Sequence, residues 1–140
     1  MNQKTDITVE VDVFAPIEKV WEFWKKPEHI VHWAFASDDW EALDAENNLC
    51  TGGKFKTVMA AKDGSLRFDF TGVYTNVKER VLIEYDIDDG RKVSVRFENM
   101  GDAIKVIETF EPEKVNTEEI QRNGWQAMLD NFKKYVEGNK

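Results

Sequence analysis

Cys50 is the one cysteine among 140 residues. A lone thiol closes no intrachain disulfide and supplies no cysteine-rich zinc site. Long apolar runs are missing too. No stretch approaches the ~18 apolar residues of a membrane-spanning helix, and the opening MNQKTDITVE has no signal-peptide core. A cytoplasmic location is therefore expected. Basic residues are the minority, nineteen against twenty-seven acidic ones, for a net charge of −8. Phosphate backbones call for clustered Lys and Arg, so nucleic acid is excluded as an expected partner, and an anionic membrane surface fares no better. Linker, repeat and low-complexity segments are absent, and the length fits one domain spanning 1–140. With 41% apolar residues, such a domain buries roughly two-thirds of its unfolded surface and requires no metal or disulfide staple.

What is present is strong periodicity. Ile7, Val9, Val11 and Val13 alternate with Thr8, Glu10 and Asp12, which predicts a half-buried strand. Ala15-Pro16 ends it, with Pro16 suited to a first helical position. Ile17, Val20, Trp21 and Trp24 then recur at helical spacing, with Phe23 widening the stripe, until Pro27 stops the helix. One further turn is expected within Glu28 to Trp33. From Trp40 to Phe110 the pattern is strand and turn. Asp63-Gly64, Asp89-Gly90 and the Asn99–Asp102 segment mark tight hairpins, which make neighbouring strands antiparallel. Asn116 with Glu119 reads as a helix cap with its capping-box partner. The final helix carries Trp125, Met128, Leu129, Phe132 and Val136 on one stripe.

This order predicts an α+β fold, with a curved antiparallel sheet of about seven strands around a long C-terminal helix. Two short helices follow the first strand. One face of such a sheet needs a cover, and the long helix is the element available. A bent sheet and a single helix do not fill the space between them evenly, so a cavity is expected where the helix stands away. The inward set is rich in rings: Phe55, Phe68, Phe70, Tyr74, Tyr85, Phe97, Phe110 and Trp125. Rings of this kind line ligand pockets, and they also simply pack together in cores. Gly124 inside the last helix costs about 1 kcal/mol relative to Ala and permits close approach of a ring or ligand.

The segments TGGKFK (residues 51–56) and FDFTGVYTNVKERVLIEY (residues 68–85) resemble the middle strands of the helix-grip, START-like superfamily. VFAPIEKVWEFW (13–24) and ETFEPEKVNTEEIQRNGWQAMLDNFKKYVE (108–137) are similar to the family named for the activator of the 90-kilodalton heat-shock-protein ATPase, in its small bacterial form. The resemblance implies the helix-grip fold and a cavity holding a lipid, polyketide or other hydrophobic molecule. The namesake's separate chaperone-engaging domain has no counterpart in these residues, so chaperone activation is not expected to carry over. A chaperone or other protein remains an alternative partner.

Candidate chemistry is sparse. Glu108 shares the inward phase of Ile104, Val106 and Phe110, and a buried carboxylate must be paired, hydrogen-bonded or protonated. It reads as a polar anchor for a ligand, as a weak candidate acid/base for a cyclase or hydratase, or as a strand-end carboxylate that reaches a donor. Thr57 and Tyr85 share its face. The ligand-contacting set expected is Trp33, Phe35, Trp40, Phe55, Thr57, Phe68, Phe70, Tyr85, Phe97, Glu108, Trp125 and Met128. Within it, Trp33, Phe35 and Trp40 form either a lid, core packing or an exposed interaction patch. His29 and His32 have helical i, i+3 spacing but no third ligand for zinc, so no metal and no cofactor are expected. Gly52-Gly53-Lys54 lacks the spacing of a phosphate loop and reads as a turn.

Overall fold

A computed structural model of the chain describes residues 6–139, so the expected 1–140 domain is described over those residues. Seven strands form one antiparallel sheet: β1 (Ile7–Val13), β2 (Trp40–Asn47), β3 (Lys54–Ala61), β4 (Arg67–Lys78), β5 (Leu82–Ile87), β6 (Lys92–Asn99) and β7 (Ile104–Phe110). Their spatial order is β1-β7-β6-β5-β4-β3-β2. The chain thus runs β2 to β7 as a meander, and β1 closes against β7 with Val9 opposite Glu108 and Val13 opposite Ile104. The sheet curls into a half-barrel. Helices α1 (Ile17–Lys25) and α2 (Pro27–Ile30) follow β1, and α3 (Glu118–Gly138) follows β7. This is the α+β helix-grip arrangement.

Local chemistry explains the element ends. In the β3–β4 and β5–β6 hairpins an aspartate carboxylate accepts from the amide two residues on, Ser65 to Asp63 and Arg91 to Asp89. Gly64 and Gly90 take the positive φ that these tight turns demand. Two boundaries differ by one residue from expectation. Pro16 is the cap of α1, not its first helical residue. The α3 cap is Thr117, whose Oγ1 accepts from the Ile120 amide at 3.2 Å. A capping box from Asn116 to Glu119 does not form, because the Asn116 amide donates instead to the Glu113 carboxylate at 2.6 Å.

The C-terminal helix lies closest to β1. From one flank of α3, Arg122, Gln126 and Lys133 donate to the main-chain carbonyls of Thr8, Glu10 and Asp12 at 3.1, 3.0 and 2.6 Å. Alternate residues of an edge strand turn their carbonyls away from the sheet, so these side chains satisfy the row that β7 leaves free. The opposite flank, with Asn131 and Tyr135, reaches the 29–35 segment: Asn131 donates to the Phe35 carbonyl at 2.6 Å.

Candidate functional site

The buried core divides into two ends. At one end Trp24, Trp33 and Phe132 pack ring on ring with centroids 4.7–5.0 Å apart, and Phe97 meets Trp24 and Trp21 edge-on. Trp33 is buried, and its Nε1 donates to the Phe23 carbonyl at 3.1 Å. The structure therefore sets Trp33 and Phe97 in the packed core. Only Phe35 and Trp40 of the 33–40 aromatics are left partly exposed, so the three do not make a continuous exposed patch.

At the other end the aromatic side chains surround polar groups. Phe110 and Trp125 stack at 4.0 Å, and Phe70 of β4 meets Trp125 of α3 edge-on at 6.5 Å. Phe55 lies against Phe70, Tyr74 and Tyr85 at 5.0–5.6 Å. The Phe55 ring rests on Gly72, where a β-carbon would come within 2.6 Å of it. Trp125, Phe70 and Met128 are half-buried, and Phe68 is 49% exposed beside Trp40. Gly124 faces the same side as Met128 and Asn131, and nothing lies within 4 Å of where its side chain would be. The helix is open on this flank.

Period-two alternation on β7 turns Glu108 toward this end, between Val9 of β1 and Val95 of β6. It is 3% exposed, and its Oε1 is fully enclosed with no hydrogen-bond partner. Among the described residues, Thr57 and Gln121 are the other buried polar residues. Gln121 is satisfied: it accepts from the Glu113 amide and donates to the Glu113 and Asn116 carbonyls, pinning the turn into α3. Glu108 is not. Burial raises its carboxyl from the ordinary 4.5 to about 8, so at neutral pH it is mainly a neutral acid. Burial, and next the proximity of Glu108, push the Tyr85 phenol upward too. Tyr74, which donates to Asn47, is raised by burial. Of the expected set, Phe55, Thr57, Phe70, Tyr85 and Glu108 lie on the sheet and Trp125 and Met128 on α3, while Phe68 stands beside Trp40 and Phe35 is partly exposed.

Two clefts lie outside this region. One of about 560 Å³ runs between α1 and the β4–β5 turn, lined by Lys19, Glu22, Lys26 and Arg80. A smaller one of about 250 Å³ sits beside Arg91 and Glu111. Both are open and lined mainly by charged residues. His29 and His32 converge on Tyr135: His29 Nδ1 lies 2.7 Å from the phenol oxygen, and the His32 ring stacks on the phenol ring. Among the described residues no group of three His, Cys, Asp or Glu side chains is placed to hold a metal ion, and no helix is long and apolar enough to cross a membrane.

Sequence reasoning left Gln121 and Tyr135 unassigned. Gln121 lay in the helical stripe and was visible as a polar residue in an apolar phase. The Tyr135 pairing joins segments 106 residues apart and left no local trace.

No curated protein is matched. The solution structure of the AHSA1-like protein from Aeromonas hydrophila superposes with a TM-score of 0.89 at 42% identity, covering 96% of this chain and 93% of that one. Protein Chr148 from Cytophaga hutchinsonii is similar at 54% identity with a TM-score of 0.83 and the same coverages. Protein NE0264 from Nitrosomonas europaea shares the fold at 14% identity, with a TM-score of 0.82 over 99% of this chain and 97% of that one. The profile of one family matches residues 14–137. The chain belongs to the family described as Activator of Hsp90 ATPase homolog 1-like protein.

Proposed function

We propose that this protein binds a hydrophobic or amphipathic small molecule between the sheet and α3. The observation that carries the reading is Glu108 Oε1, a buried acceptor without a partner on a wall of aromatic rings. An unsatisfied buried polar atom costs about 1–3 kcal/mol, and a ligand group that reaches it recovers that cost. Family membership fits a ligand-binding domain at the same coarse level. Phe70 meets Trp125 edge-on between the sheet and α3, and Gly124 leaves the helix without a side chain beside Trp125. A ligand entering there parts two rings and meets no backbone obstruction.

Burial of the ligand's apolar surface supplies most of the affinity, at about 25 cal/mol per Å² before entropic costs. Glu108, Tyr85 and Thr57 orient its polar end. The test is a ligand screen of lipids and aromatic metabolites, read by tryptophan fluorescence and amide shifts. Binders should move the amides of β4, β7 and the 124–128 turn together. A saturating screen that leaves them all in place removes the reading.

A further inference from the structure

We infer that the occupant of this site carries an amine, and that its ammonium group sits against Glu108 within the surrounding rings. This rests on the small-molecule reading above and narrows its chemistry. What the site lacks is a donor. Oε1 is an acceptor with no partner, and a neutral carbonyl ligand would take the acid's one proton yet leave that oxygen bare. An ammonium brings up to three donors, enough for both carboxylate oxygens and the Tyr85 oxygen.

The walls agree. Among the described residues the buried set contains no Lys, Arg or His, and Arg91, the cation whose charge reaches Tyr85, is paired with Asp89, so an anionic ligand would meet a buried acid and a cation already engaged. Phe55, Phe70 and Tyr85 of the sheet pack ring against ring, as do Phe110 and Trp125, with Phe70 edge-on to Trp125, and aromatic faces attract cations once water is excluded. The chain's net charge of −8 draws cations from a distance.

The ionisable group facing Glu108 is Tyr85, from β5. Its neighbours across β1 and β6 are Val9 and Val95. The α3 residues turned to the core, Trp125, Leu129, Phe132 and Val136, carry no charge. Below about pH 8 binding of an ammonium therefore sends one proton from the Glu108 carboxyl to the buffer. The carboxylate that remains pairs with the cation.

The test uses three probes of one shape: 1-naphthylmethylamine, 1-naphthylmethanol and 1-naphthoate, titrated calorimetrically at pH 7 in two buffers of different ionisation enthalpy. The amine should bind about tenfold or more tighter than the alcohol, and tighter still than the carboxylate. It should release close to one proton, while the alcohol releases none. Glu108→Gln should bring amine and alcohol within about threefold and abolish the proton release. Alcohol or carboxylate binding as tightly as the amine, or a preference untouched by Glu108→Gln, overturns the amine assignment and leaves the small-molecule reading standing. Failure of all three probes to bind counts against both.

Discussion

In the unfolded chain the Glu108 carboxyl titrates near 4.5, whereas in the folded chain burial holds it near 8. A folded pKa above the unfolded one means that the native state holds its proton while the unfolded state releases it. The native state thus keeps its full stability below about pH 4.5 as far as this group is concerned. It then loses about 1.4 kcal/mol per pH unit until pH 8 and levels off. The sum is on the order of 5 kcal/mol. Glu108→Gln removes the titration, so urea unfolding of the variant should be flatter over pH 5–8 and exceed wild type most at pH 8. Parallel curves for the two proteins would contradict a neutral buried acid. Gly72→Ala tests the opposite kind of site. Its β-carbon would come within 2.6 Å of both the Phe55 ring and the Asp86 carbonyl, so a loss of about 1–3 kcal/mol is expected in denaturant melts. The inward phase of Glu108 was legible because a strand's period is two and Ile104, Val106 and Phe110 set it. The seat of Phe55 on Gly72 was not, since it depends on a register between strands that no single segment encodes.

Among the elements, α3 offers the cleanest comparison. Thr117 caps it through the Ile120 amide, and Thr117→Ala should lower stability by about 1 kcal/mol. Gly124→Ala should raise it by up to about 1 kcal/mol, because the added methyl meets nothing within 4 Å. Both are read from shifts in the thermal midpoint, and equal midpoints for wild type and either variant would refute that assignment. The apolar stripe of this helix was plain in the sequence, as were the three hairpins, two marked by Asp-Gly and the third by the Asn99–Asp102 segment with its Gly101. The segment between Ile30 and Trp40 was not. Its rings have no period, so nothing local separates Trp33, locked to the Phe23 carbonyl, from Trp40, which stays at the sheet margin beside Phe68. The cap position also escaped by one residue, because Asn116 and Thr117 are both good cap residues and the choice is made by Glu113 reaching the Asn116 amide.

Across the whole molecule, the arrangement that matters most is the lashing of β1 by α3. A strand at the margin of a sheet exposes a row of unsatisfied carbonyls, and here Arg122, Gln126 and Lys133 cover three of them. Replacing all three by Ala should cost about 1–3 kcal/mol in total. It should also produce concentration-dependent association by sedimentation velocity. A triple variant that stays monomeric and as stable as wild type would show the contacts to be incidental. The overall topology was readable from element order and turn length, because short turns leave few ways to join consecutive strands. The side of α3 that grips was not, since Arg122, Gln126 and Lys133 look like any solvated helix face.

The same lashing has a consequence for how the protein is made. The residues it joins lie 114 to 121 positions apart, and the strand that pairs with β1 is the last of the sheet. During translation Ile7, Val9 and Val13 emerge well before β7 and α3, and find neither neighbour nor lid until those two elements have left the ribosome. Strands β2 to β6 pair with neighbours made next to them, whereas this apolar strand waits for the last one, so it is the segment a nascent-chain holdase would shelter longest.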